Sequence, residues 1–171
     1  MSRYFAGSDA QRKERNEALL LKVYPTLRPK LRAVIADMEG KGWQPCIDPG
    51  VYRTPAEQAD KVRRGYSKVS YSYHNVTGEN GKPESLAADI VDARYGWDAP
   101  SNYWLQLASS AQSHGMETGI RWGLTNPKRL IINALIRAKN WSAKYAMGWD
   151  AAHVQCVGIS LGQAKAGARP K

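Results

Sequence analysis

A chain of 171 residues with 43% apolar side chains is long enough to bury a core without disulfides and too apolar for a disordered polyelectrolyte. Its 25 basic against 15 acidic residues leave a net charge of +10, which favours encounter with a polyanion, nucleic acid and an anionic bacterial envelope alike. No apolar run approaches a bilayer span, and Cys46 and Cys156 stand in no metal-ribbon spacing; both read as buried thiols, with a disulfide between them left open.

The first residues carry charge but no apolar run of the kind a secretory signal needs, so the product is expected to be soluble and made in the cytoplasm. Residues 9 to 23 and 27 to 39 read as two helices separated by Pro25, the second carrying Leu27, Leu31, Val34, Ile35 and Met38 on one face. A strand is expected over Gln44 to Tyr52. Thr54-Pro55-Ala56-Glu57 combines an N-cap, a proline at the first helical position and a glutamate that closes a capping box. A helix should therefore run from Pro55 to about Arg64 and stop at Gly65, with Arg53 held just outside its start.

Thr77 to Ser85 is rich in turn formers, lacks periodicity and reads as an exposed loop. Further strands are expected over Leu86 to Asp92, Gly119 to Trp122 and His153 to Ile159. A helix over Ser101 to His114 should end at Gly115, and Asn126-Pro127 opens another whose Leu130, Ile131, Ala134, Leu135 and Ala138 read as a packing stripe. The basic tail from Gly162 is expected to fray. Helices come first and the order is mixed, which favours an α+β fold over regular βαβ repeats.

Only three histidines occur. His114 sits at a helix end, where a cationic imidazole suits the dipole, and is expected to be structural. His74 stands at the mouth of the polar loop and His153 at the start of a strand; alone, either is readily structural. Asp89 changes the weighing, because it lies in Leu-Ala-Ala-Asp-Ile-Val, where a lone carboxylate is costly to bury unless paired or bound to a cation. Two imidazoles and a carboxylate make a three-ligand set for catalytic zinc with one open position, but the spacing is not that of the H-E-x-x-H helix. The residue types leave a metal site and a structural arrangement equally open. Six Trp and nine Tyr against one Phe suit the walls of a ligand groove, although core packing accounts for most of them.

Taken in order, Val51-Tyr52-Arg53-Thr54-Pro55-Ala56-Glu57-Gln58, Ser72-Tyr73-His74-Asn75, Ala87-Ala88-Asp89-Ile90-Val91, Trp122-Gly123 and Asp150-Ala151-Ala152-His153 resemble the zinc D-Ala-D-Ala carboxypeptidase and L-alanyl-D-glutamate endopeptidase family. These are peptidoglycan peptidases, and the chain looks like their phage endolysin branch over residues from about 50 to 157. The resemblance implies a small antiparallel sheet with helices packed on it and a zinc site at the sheet, the hedgehog/D-Ala-D-Ala-peptidase-like fold. It implies that His74, Asp89 and His153 bind Zn2+, that Asp150 is the catalytic base, and that Arg53 contacts substrate or the developing oxyanion. Ser72, Tyr73 and Trp122 are then expected to face substrate, with Trp149 beside them. The chain departs from the family pattern by the stretch Thr77 to Ser85 inserted between His74 and Asp89, which puts Ser85 where a glycine is expected and makes Glu84 a rival ligand.

By length, residues 1–171 are expected to form one catalytic domain, with N-terminal helices 9–39, a metallopeptidase core of about 44–160 and a basic tail 162–171; the N-terminal helices and the tail lie outside the resemblance. The resemblance implies cleavage of the L-alanyl-D-glutamate bond by a monomeric lysin that acts in the periplasm or wall after holin-type release, with peptidoglycan as partner and no nucleic acid. A D-Ala-D-Ala or L,D-carboxypeptidase of the same fold is the nearest alternative. From another class, a basic nucleic-acid- or cell-wall-binding module without catalysis would explain Lys61, Arg63, Arg64, Lys128, Arg129, Arg137 and Lys139, but would leave the order of histidines and aspartates as coincidence.

Overall fold

A computed structural model describes residues 4–171. Helix α1, Asp9–Leu20, begins at a capping box between Ser8 and Gln11. It stops short of residue 23 because Val23 leaves the helix to bridge Ser85. A 3-10 turn over Pro25–Leu27 leads into α2, Arg28–Gly40, which buries Leu31, Val34, Ile35 and Met38 as their spacing requires. Helix α3, Pro55–Arg63, has the expected reciprocal box between Thr54 and Glu57.

Four strands, β1 (Pro45–Ile47), β2 (Ala87–Asp92), β3 (Met116–Gly119) and β4 (Asp150–Cys156), form one antiparallel sheet in the order β1-β2-β4-β3. Together with the helices this is the α+β architecture expected. The strand bounds differ from those read in the sequence. β1 ends early because the Asp48 carboxylate accepts from the Gly50 amide at 2.8 Å and starts a 3-10 turn over Pro49–Val51. β3 lies ahead of its expected position because Gly115, at φ +67°, ends helix α4 (Ser101–Ser113) and turns the chain straight into Met116. β4 starts at Asp150, so the segment before His153 is strand as well.

Side chains alternate across a strand. Asp89, His153 and Gln155 therefore face a cleft, while Ala88, Ile90, Val154 and Cys156 join the hydrophobic core under α2 and α4. Cys46 and Cys156 are both free, buried thiols, so the disulfide left open does not form.

Two further expectations are corrected. The stripe on α5, Asn126–Arg137, is not a packing face: Ile132 is buried, Leu135 and Ile136 are half-buried, and Leu130 and Ile131 are 58% and 51% exposed. The C-terminal tail does not fray. Ser160 and Gln163 cap a short helix α6, Leu161–Lys165, and beyond it Arg169 donates to Glu84 Oε2 at 2.8 Å and to the Thr77 carbonyl at 2.6 Å. Thr77 to Ser85 is accordingly a small hairpin, closed by a bridge between Thr77 and Pro83 and tied to the tail, and none of its residues lines the cleft.

Candidate metal and catalytic site

Antiparallel register sets Asp89 on β2 directly opposite His153 on β4, so both side chains leave the sheet on the same face. His74 arrives from a 3-10 turn, Tyr73–Asn75, whose start is closed by reciprocal bonds between Ser72 and Asn75. The Arg53 amide bonds the His74 carbonyl at 2.9 Å, and the Asn75 side chain bonds the Arg53 carbonyl at 2.7 Å, locking this turn to the segment that opens α3.

The three side chains meet in the buried floor of the cleft. His74 Nε2 lies 3.1 Å from His153 Nδ1, His153 Nδ1 lies 3.1 Å from Asp89 Oδ1, and His74 Nε2 lies 3.4 Å from Asp89 Oδ1. Donors about 2.0–2.1 Å from a tetrahedral zinc sit about 3.3–3.4 Å from one another, so this triangle has the dimensions of one zinc face. The tautomers agree. His74 Nδ1 is 3.0 Å from the Val51 carbonyl, which only accepts, so Nδ1 carries the hydrogen and the Nε2 lone pair points inward. His153 Nε2 is 3.0 Å from Gln155 Oε1, and Gln155 donates its amide hydrogen to Glu117 Oε1 at 2.7 Å, which fixes the amide oxygen toward the ring. Two inward lone pairs and a carboxylate oxygen repel one another unless a cation or proton lies between them, and the outer bonds are those that orient metal-bound imidazoles. The donor set fits zinc.

Asp89 Oδ2, the oxygen turned from the imidazoles, accepts from Arg53 Nη2 at 2.8 Å. Arg53 lines the cleft, yet its first contact is this carboxylate, and its buried Nε has no protein partner. Burial by itself would raise the Asp89 carboxyl; the charge and hydrogen bonds of His74 and His153 outweigh it and hold Asp89 well below the usual carboxylate range. Burial also lowers His74, against the pull of Asp89. Asp150, at the first position of β4, is pushed up to about 6, first by burial and then by the negative charge of Asp89.

Above this floor the cleft has a volume of about 680 Å³. Trp122 packs its ring 5.0 Å from that of His153 and 5.2 Å from that of Trp149, which is 63% exposed at the rim. Ser72 and Tyr73 line the wall, but the Ser72 hydroxyl bonds Asn75 and the Tyr73 hydroxyl donates to the Ile159 carbonyl at 2.6 Å, so both are engaged within the protein. Glu84, the rival carboxylate, is paired with Arg169 outside the cluster. His114 is also outside it, bonded to Asp37 at 2.9 Å at the end of α4, as a structural histidine should be.

The sequence reading missed Gln155 and Glu117. Strand alternation already places Gln155 on the face of His153, so the signal was present; Glu117 lies on β3 and is paired with Gln155 only by sheet register. Lys61, marked in the sequence only as one of the basic residues, also lines the cleft, as do Lys68, Tyr66 and Trp97, which come from segments without a local mark of function.

No protein-family model matches the chain. No curated protein matches it. Among solved structures it is similar to the L-Ala D-Glu endopeptidase ChiX of Serratia marcescens, with 20% sequence identity and a TM-score of 0.49, over 84% of this chain and 86% of that one. At that identity and superposition no residue role passes from one protein to the other, and the chemistry rests on the side chains of the site.

Proposed function

We propose that this protein is a zinc peptidase of bacterial peptidoglycan that hydrolyses a stem-peptide bond, the L-alanyl-D-glutamate bond, as a phage or prophage lysin. The observation that carries the reading is the inward convergence of His74 Nε2, His153 Nδ1 and Asp89 Oδ1 in one cleft with Arg53 and Asp150. The substrate class comes from the order of the motifs along the chain. In this role the protein acts on the wall as a monomer after holin-type release.

Held by those three atoms, zinc supplies Lewis acidity, which makes a water a better nucleophile and offsets negative charge on the substrate carbonyl. The remaining work falls to the chain. Asp150, on the cleft wall, accepts a proton from the attacking water at a carboxylate oxygen and returns it to the leaving amine. Arg53, aligned by Asp89, turns its remaining N–H groups toward the scissile carbonyl; loss of such a donor typically costs about 3–4 kcal/mol of transition-state stabilisation. Trp122 covers one side of the His153 imidazole and limits water there. Lys61 and Lys68 give the carboxylates of a stem peptide cationic partners at the cleft.

Mass spectrometry of purified peptidoglycan after incubation tests the reading. Fragments ending at L-alanine and beginning at D-glutamate, abolished by a zinc chelator and restored by zinc, are the expected result. Release of terminal D-alanine instead would assign the carboxypeptidase activity. Intact wall after exposure to folded, zinc-loaded protein would overturn the proposal.

A further inference from the structure

From Thr118 to Trp149 the chain carries Arg121, Lys128, Arg129, Arg137, Lys139 and Lys144 and no acidic residue. None of these cations enters an ion pair among the described residues. The segment contains α5, a helix with two apolar faces. Ile132, Leu135 and Ile136 turn toward the protein, whereas Leu130, Ile131, Ala134 and Ala138, spaced three and four residues apart, form a second stripe that is exposed along its length. At 100° per residue, Arg137 borders this outer stripe beside Leu130, and Lys139 lies just past the helix end.

We infer that the outer face of α5 docks on an anionic phospholipid bilayer, with the helix lying in the plane of the surface. Leu130 and Ile131 enter the apolar layer beneath the headgroups, and Arg137 and Lys139 meet the lipid phosphates. A cationic helix with an aliphatic stripe is suited to that boundary, where phosphate and hydrocarbon lie within a few ångströms of one another. Other occupants answer only half of the pattern. A second copy of the chain would bury the stripe but set the same cations against each other, and nucleic acid would pair with the cations but give Leu130 and Ile131 no apolar partner. No helix among the described residues is long and apolar enough to cross a membrane, so the contact is a surface one. The inference is independent of the metal site.

The test is co-sedimentation of the whole protein with vesicles of phosphatidylglycerol mixed with phosphatidylcholine, and of phosphatidylcholine alone, at about 0.15 M salt. Binding to the anionic vesicles only is expected, with Leu130→Ser/Ile131→Ser weakening it by about tenfold or more and Arg137→Gln/Lys139→Gln weakening it with a smaller salt dependence. All four positions are exposed, so thermal melting and zinc content should match those of the unsubstituted protein, and the two variants fail independently if one misfolds. Absence of vesicle binding by folded protein overturns the inference, as does equal binding by both variants. A concentration-dependent dimer abolished by Leu130→Ser/Ile131→Ser would assign the face to a second copy. Retention on duplex DNA that is lost only with the charge variant would assign it to nucleic acid. Either result overturns the lipid assignment.

Discussion

On β2 and β4, the polar Asp89, His153 and Gln155 are buried and each has fixed partners; on α5, the aliphatic Leu130 and Ile131 stand in solvent. Asp89 and His153 look misplaced in apolar strands until Arg53, His74 and Gln155 are seen around them, each bond leaving one donor atom turned to a common point. Leu130 and Ile131 look like core residues in the sequence until no element among the described residues is found to cover them. A buried polar cluster has its energetic compensation inside the chain, whereas an exposed apolar stripe points to something outside it.

The largest break in that comparison removes a donor atom from the buried cluster. His74→Ala and His153→Ala should each lose stoichiometric zinc, measured by elemental analysis after dialysis, and with it all detectable peptidoglycan cleavage. Asp89→Ala in metal-free protein leaves the Arg53 guanidinium buried without its carboxylate, and equilibrium unfolding should show a loss of about 3–5 kcal/mol. Retention of zinc by this variant, with loss on Glu84→Ala, would reverse the choice of carboxylate ligand.

Asp150 sharpens the contrast, because it is a partly buried charge without a partner among the described hydrogen bonds. Its carboxyl is raised in the folded protein, to about 6, so ionisation opposes folding: the penalty is fully present above that pH and absent below the unfolded value near 3.8. Asp150→Asn in metal-free protein should therefore be more stable than the parent by about 2 kcal/mol at pH 8, the gain vanishing below about pH 4, while turnover of the zinc-loaded enzyme is lost. Equal stability at pH 8 would mean that Asp150 is solvated in solution. A milder change is Gln155→Leu, which removes the bond that sets the His153 tautomer and should weaken zinc affinity by about 10–100-fold in a competition titration. The smallest expected effect lies on α5: Leu130→Ser should alter stability by no more than about 0.5 kcal/mol, against about 2–5 for Ile132→Ala two residues on.

Local signals were legible where the chemistry is local. The Thr54–Glu57 box, the Leu31–Met38 stripe and the glycine stop after α4 depend on neighbours within a turn or two, and each appears in the structure. The acid within an apolar strand and the two loop-flanking histidines were visible as anomalies, and motif order joined them. Strand bounds were less legible. Ala151 and Ala152 have little strand preference of their own and are carried in β4 between the pairing of Asp150 with Gly119 and that of Val154 with Thr118, and Met116 starts β3 because Gly115 reverses the chain, not because of any alternation in the sequence.

By itself the sequence determined which elements could form and which residues were chemically out of place, because propensity, capping and period act over a few residues. Only the tertiary structure decided which of those residues share a site and which apolar residues find cover. The opposition of Asp89 and His153, the outer bond from Val51 that turns the His74 lone pair inward, the Glu117 carboxylate that orients Gln155, the tie from Arg169 to the Glu84 hairpin and the outward stripe on α5 all depend on segments distant in the chain. The physical reason is that a helix period marks faces without saying which one meets a neighbour, and a strand alternation marks sides without saying which residue stands opposite.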